Sequence, residues 1–351
     1  MSDTSRSNHP LKKRIDYFDL LRTVAIFFVI LIHCTAPLFK SLSIDSPNWL
    51  ITNLFESISR WAVPIFVMIS GSIHLNRRRD FKTFFRKNIL KLIIILFSWN
   101  FIYATVNFIT DDHSIKNFIY DFIGGQYHLW FLYMLIGLYL ITPFLKTFLN
   151  NPKNVKLFLL ISFIFGIALP ELSDIFTVLP SRLNIIGSSL KHVADITGFG
   201  NLFGFSFYYL LGYYLHHQTF NAKTKKIIYF AGFIGFLITF AATWGFSSLT
   251  NSPIVIFLKD LTVNNILLSA AIFTYAKCHI KKTTITNPLI LISKYSLGVY
   301  VTHALILENL LIFLPQLPVI LEIPVKAILC FLISLTLTFC LHKIPILKKI
   351  V

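Results

Sequence analysis

Apolar runs long enough to cross a bilayer recur ten times along this 351-residue chain, at 18–39, 58–75, 89–109, 128–149, 155–169, 201–215, 227–244, 262–276, 289–314 and 325–341. A span of about 20 apolar residues must satisfy its backbone groups internally, so each run predicts a helix. The expected fold is therefore all-α, a polytopic membrane helix bundle of about ten transmembrane helices. Composition agrees, because 55% hydrophobic residues, a mean hydropathy of +0.70 and only 13% charged residues lie outside the range of soluble domains. The stretches between runs are too short to bury a core of their own, which leaves a single integral-membrane domain over 1–351.

A net charge of +17 raises nucleic acid as a partner. However, the 32 Lys and Arg fall in short patches between apolar runs, not along one face, so no nucleic acid is expected. With the N-terminus in the cytoplasm, 23 of them lie in loops on that side. Five lie on the other: Lys40, Lys116, Arg182, Lys191 and Lys259. That asymmetry predicts an even number of spans with both termini cytoplasmic. The outer loops collect Asp111, Asp112, Asp121, Glu171, Asp174 and Asp195. Lys12, Lys13 and Arg14 precede the first run and no small-residue cleavage site follows it, so it is expected to be retained rather than removed. Cys34, Cys278, Cys330 and Cys340 have neither metal-ligand spacing nor an extracellular pairing pattern, which predicts packing cysteines and no metal. The chain carries no Walker-type or dinucleotide glycine motif.

Against this background, Arg22 and His33 stand out inside the first run. An Arg at a helix centre costs about 2.5 kcal/mol or more on insertion scales, so it is a functional candidate by default. Eleven steps at about 100° bring the two side chains within about 20° of one face, separated by about 16 Å of rise. Asp19 precedes Arg22 by three positions and is placed to pair with it. A structural ion pair with a packed His33 is one reading. Chemistry is the other, since imidazole exchanges protons near neutral pH.

Three further groups invite the same pair of readings. The loop containing Arg77, Arg78, Arg79, Lys82, Arg86 and Lys87 serves positive-inside topology and contact with anionic membrane lipid, or else forks that grip phosphate. Tyr127, His128 and Trp130 follow the flexible Gly124–Gly125 pair at the outer start of the fourth run. They are aromatic-belt residues or the rim of an acceptor site that suits sugar rings. Tyr300 and His303 share a face, with Glu308 further along the same run. They form a buried polar network or a site.

Together, Asp16-Tyr17-Phe18-Asp19-Leu20-Leu21-Arg22 with His33 beyond it, Arg60-Trp61-Ala62-Val63-Pro64 through Ser70-Gly71, His128-Leu129-Trp130-Phe131, and Tyr295 to His303 resemble the integral-membrane acyltransferase 3 family. The match covers both ends and the first half of the chain. Between about 155 and 282 there is no matching motif. The resemblance extends to compact O-acetyltransferases of surface polysaccharides such as lipopolysaccharide O-antigen, those acting on enterobacterial common antigen included. It implies ten spans in a bacterial inner membrane, acetyl-CoA as acyl donor and co-substrate, and a glycan or lipid-linked sugar as acceptor. It also implies that Arg22 and His33 are the functional Arg and His, and that the basic loop helps to hold the donor. Larger relatives carry a further periplasmic domain, which is not expected here. The family's Arg-x-x-Arg pattern is imperfect, because Lys82 stands three positions after Arg79.

On that footing, acetyl passes from CoA, gripped at Arg22 and the basic loop, to a sugar hydroxyl whose proton His33 removes. The acceptor would meet Tyr127, His128, Trp130, Tyr300, His303 and Glu308. Nothing in the sequence marks a paired orienter of the kind a nucleophilic triad needs, so His33 is read first as a base, with an acyl-His intermediate as the less favoured alternative. A transporter of a polysaccharide or lipid-linked sugar would also use intramembrane ionisable residues, and a scaffolding subunit would need neither Arg22 nor His33.

Overall fold

The computed structural model describes residues 15–76, 80–110, 114–179, 182–280, 287–315 and 317–351. Every regular element among them is helical. In chain order they are α1 (Asp16–Ser41), α2 (Pro47–Ser59), α3 (Ala62–His74), α4 (Phe81–Thr110), α5 (Ile115–Gly124), α6 (Trp130–Phe148), α7 (Pro152–Val178), α8 (Arg182–Thr197), α9 (Phe199–His217), α10 (Ala222–Thr250), α11 (Val263–His279), α12 (Asn287–Asn309) and α13 (Val319–Lys343).

Local chemistry sets several of these boundaries. Asp16 and Asp19 place negative charge in the first turn of α1, where the helix dipole favours it. Ser46 accepts a bond from the Trp49 backbone N–H and Pro47 opens α2. Asp80 caps the start of α4 by accepting from the Thr83 N–H, a bond that holds its exposed carboxyl below the usual carboxylate range. Near the middle of α7, Pro170 cannot donate to the Gly166 carbonyl, and the chain widens into a π turn at Ile164–Ala168.

The break between α2 and α3 has the same origin. Pro64 has no N–H for the carbonyl of Arg60, four residues earlier. Asn265 of α11 supplies the missing donor, with its Nδ2 3.0 Å from that oxygen. A helix interrupted inside a bundle is thus repaired by a neighbouring side chain.

Nine helical segments among the described residues are long and apolar enough to cross a membrane. They take in the expected runs apart from 201–215. That run lies on α9, whose four tyrosines, three glycines and two histidines lower its hydropathy. Two of its tyrosines are tolerable because they are buried and bonded. Tyr208 donates to the Asp260 carbonyl at 2.8 Å, and the Tyr209 hydroxyl meets Thr142 Oγ1 at 2.9 Å. The α9 backbone also presses directly on α3, since a Cβ at Gly71 would collide with the Tyr209 carbonyl and one at Gly212 with the backbone of Met68.

Helix α1 sits at the centre, packed on α2, α3, α12 and α13, with Ala25, Ile26 and Ile30 fully buried. Large apolar side chains such as Phe101, Phe144 and Phe230 point outward, as a lipid-facing surface requires.

Candidate active site

Arg22, Val29 and His33, at spacings of seven and four, line one cavity of about 330 Å³ along α1. Its other walls come from Ser70 of α3, Tyr139 of α6, and Ser293 and Lys294 of α12. A second cavity, of about 830 Å³, extends toward the Lys40 end of α1. Its walls include Glu56, Arg60, Tyr127, Asp260 and Glu308. Both volumes fall within the range of ligand pockets, about 300–1,000 Å³. His33 lines both cavities, so a single imidazole stands where the two approach each other.

Two elements, the turn at Tyr127–Leu129 and α12, converge on that ring. The turn at Tyr127–Leu129 follows Gly125, whose φ of 74° with extended ψ is open essentially to glycine alone. Asn100 of α4 ties this turn in place, donating to the Phe122 carbonyl at 3.0 Å and to the Tyr133 hydroxyl at 2.8 Å. The Tyr127 ring consequently stands 5.3 Å from the His33 ring, edge to face, and the His128 ring 6.5 Å away. From α12, His303 reaches within 5.0 Å of both histidine rings. Tyr300 donates its hydroxyl to the His128 carbonyl, and Tyr103 of α4 donates to the Val301 carbonyl at 2.9 Å. The aromatic and imidazole cluster is therefore locked to two helices besides its own.

On the side of the second cavity, Arg60 and Glu56 form an ion pair one helical turn apart. Thr35 of α1 donates to the other Glu56 oxygen at 2.8 Å, while Arg60 Nε is buried with no partner. Asp260, on the loop before α11, lies near enough for its charge to act on Arg60. At the Arg22 end, Asp19 accepts from Ser293 Oγ at 2.6 Å, which ties α1 to α12. Among the described residues, no three His, Cys, Asp or Glu side chains are arranged to hold a metal ion.

A family model described as an acyltransferase domain matches residues 15–342, nearly the whole chain. The chain belongs to the acyltransferase 3 family. It is therefore a multi-pass membrane acyltransferase. Relatives in Staphylococcus aureus strains MSSA476 and MRSA252, named "Probable poly-beta-1,6-N-acetyl-D-glucosamine export protein", are each 21% identical over 299 residues. The alignments cover 83% of this chain and 81% of theirs. No solved structure matches it.

Within this acyltransferase, the residues singled out from sequence take different places. Arg22 and His33 share a face and a cavity. Arg77, Arg78 and Arg79 lie outside the described residues, whereas Lys82 and Arg86 are exposed at the start of α4. The residues expected at the outer rim divide between the two cavities. Tyr127 and Glu308 line the second cavity, where Glu308 accepts from Gln126 at 2.9 Å. His128 and Trp130, on the turn at Tyr127–Leu129 and the first residue of α6, line the first cavity together with Tyr300 of α12. The Trp130 ring lies 5.4 Å from that of Phe205, tilted by 42°. His303 lines neither cavity and is wholly buried behind His33.

Four polar groups escaped the sequence reading as site residues: Glu56, Arg60, Asp260 and Lys294. Glu56 and Asp260 fall just outside the apolar runs, at 58–75 and 262–276. A Glu-x-x-x-Arg pair followed four residues later by Pro64 was the available signal, since it marks an ion pair at a broken helix.

Proposed function

We propose that this acyltransferase moves acetyl from cytoplasmic acetyl-CoA to a hydroxyl of a surface polysaccharide, or of its lipid-linked precursor, in a bacterial cytoplasmic membrane. The observation that carries the reading is His33, one imidazole shared by two cavities that extend toward opposite ends of α1. Donor and acceptor can then enter separately and meet at a single proton-transfer group. Arg22 and Lys294 supply positive charge in the first cavity, suited to the phosphates of CoA. The second cavity offers aromatic and polar walls at Tyr127, Glu308 and Asp260, suited to a sugar.

In the transfer step, the acceptor oxygen attacks the thioester carbonyl carbon while His33 takes the hydroxyl proton. The tetrahedral intermediate collapses with cleavage of the C–S bond, and the imidazolium returns the proton to the leaving sulfur. CoA thiol and the acetylated sugar result. Such a base contributes about 10²–10⁴-fold to rate.

The test uses purified protein, labelled acetyl-CoA and glycan extracted from cells lacking the gene. Label is expected in the glycan, with His33→Ala at least 100-fold slower while CoA still binds. An unlabelled glycan with wild-type protein, or normal transfer by His33→Ala, overturns the reading.

The relatives' name favours a second reading, export of a polysaccharide. Movement of unacetylated glycan into vesicles, with no transfer of label, would support it instead.

A further inference from the structure

We infer that His303 is a positioning residue, accepting a hydrogen bond from His33 and so fixing which nitrogen of His33 acts as base. The inference rests on the acyl-transfer reading for its kinetic consequence but not for its geometry. His303 Nδ1 lies 2.5 Å from the backbone carbonyl of Tyr300. A carbonyl oxygen only accepts, so Nδ1 carries the hydrogen and, in the neutral ring, Nε2 carries the lone pair. That Nε2 is buried and has no partner. Leaving a buried acceptor unmatched costs about 1–3 kcal/mol, which calls for a compensating contact in the working state.

Two imidazoles lie at the same 5.0 Å from the His303 ring, those of His33 and His128. His128 is 1% exposed and wedged between Tyr103 and Tyr300, at 5.1 and 5.7 Å. His33 opens onto both cavities and is the ring free to turn. It is also the closer to parallel with His303, at 37° against 76°. A rotation of His33 about its side-chain bonds would direct one N–H at Nε2. Catalytic hydrogen bonds that are long in the empty enzyme commonly tighten when substrates bind. The other His33 nitrogen is then the lone pair presented to the acceptor hydroxyl. On receiving that proton His33 becomes a cation, and its N–H···Nε2 bond becomes charge-assisted, while His303 gains no proton.

Other polar groups are compatible with this role. Arg60, at the C-terminal cap of α2, and Tyr127 face His33 from the second cavity, and neither is an obligate acceptor aimed at its N–H. Behind His303, Cys330 of α13 lies 3.4 Å from the backbone carbonyl of His303 and leaves the ring untouched.

The experiment combines ¹⁵N NMR of histidine-labelled protein in nanodiscs with steady-state acetyl transfer to extracted glycan. In wild-type protein His33 should hold one tautomer, and in His303→Phe it should become a mixture. His303→Phe should lower kcat by about 10²–10³-fold with KM for acetyl-CoA unchanged. His303→Gln, which returns an acceptor oxygen near the position of Nε2, should recover at least tenfold of that loss. Misdirected tautomers cost about 10⁴-fold in the Ser-His-Asp arrangement, where the partner is charged, and a neutral partner should cost less. Should His303→Phe fail to fold, His303→Ala is read in the same way. An unchanged His33 tautomer, equal loss in the Phe and Gln variants, or a tautomer change at His128 instead of His33 overturns the inference. Absence of transfer by wild-type protein overturns the acyl-transfer reading alone, because the tautomer measurement still decides the role of His303.

Discussion

Glu56 and Arg60 form an ion pair at the point where α2 gives way to α3, and both line the cavity that His33 enters from the opposite wall. Glu56 is 1% exposed, so removing its partner strands a buried carboxylate. Breaking such a pair costs about 3–5 kcal/mol, whereas neutralising both members costs far less. Arg60→Ala should therefore lower the thermal midpoint in detergent more than the double change Glu56→Gln with Arg60→Gln. Equal midpoints for the two variants would show that the pair does not hold the break.

Arg22 and Lys294 are the cations of the first cavity. Each charge-assisted bond to phosphate is worth about 1.5–3 kcal/mol, or roughly 10-fold to 150-fold in affinity. Calorimetric titration with CoA should show at least tenfold weaker binding to Arg22→Ala and to Lys294→Ala, and high salt should weaken binding more in wild-type protein than in either variant. Unaltered affinity in both variants would move the donor phosphates away from this cavity.

Glycines along the bundle differ in what surrounds them. Gly212 approaches the Met68 backbone, while a Cβ at Gly245, within α10, would meet nothing. Gly212→Val should abolish the monodisperse peak on size exclusion. Gly245→Ala should be tolerated and gain up to about 1 kcal/mol from helix propensity. Normal folding of Gly212→Val would contradict the tight crossing of α3 and α9.

Asn265 replaces the donor that Pro64 lacks. An unmatched buried carbonyl costs about 1–3 kcal/mol, so Asn265→Ala should lower the thermal midpoint. Asn265→Asp, which keeps the shape but loses the N–H donors, should not restore it. Full stability of Asn265→Asp would indicate that the side chain packs without donating.

The charge distribution predicts that the Arg22 end of α1 faces the cytoplasm. In a background lacking the native cysteines, Glu308→Cys should react with an impermeant thiol reagent applied outside intact cells. Arg86→Cys should react only after the membrane is opened. The reverse pattern would invert the proposed donor and acceptor sides.

Much of the architecture is legible in the chain because lipid imposes it. A run such as 18–39 has no alternative to a helix where water cannot satisfy its backbone. The run at 201–215 was legible too, but its role was not. Tyr208 and Tyr209 lower the hydropathy of α9, and their partners Asp260 and Thr142 explain how the helix carries them buried. Glu56 was missed for a related reason. Hydropathy ends a run at a charge, whereas the fold carries the helix past it when another charge or a Thr hydroxyl is waiting.

The sequence by itself determined the all-helical membrane class and the sharing of one α1 face by Arg22 and His33, because both follow from local periodicity and the cost of polar groups in lipid. Tertiary structure decided which cavity each residue meets. It divided Tyr127 from Trp130 although they are three positions apart, and it set His303 of α12 behind His33 of α1. Such pairings depend on how helices cross, and crossings are governed by contacts like those of Gly71 and Gly212, between residues far apart in the chain.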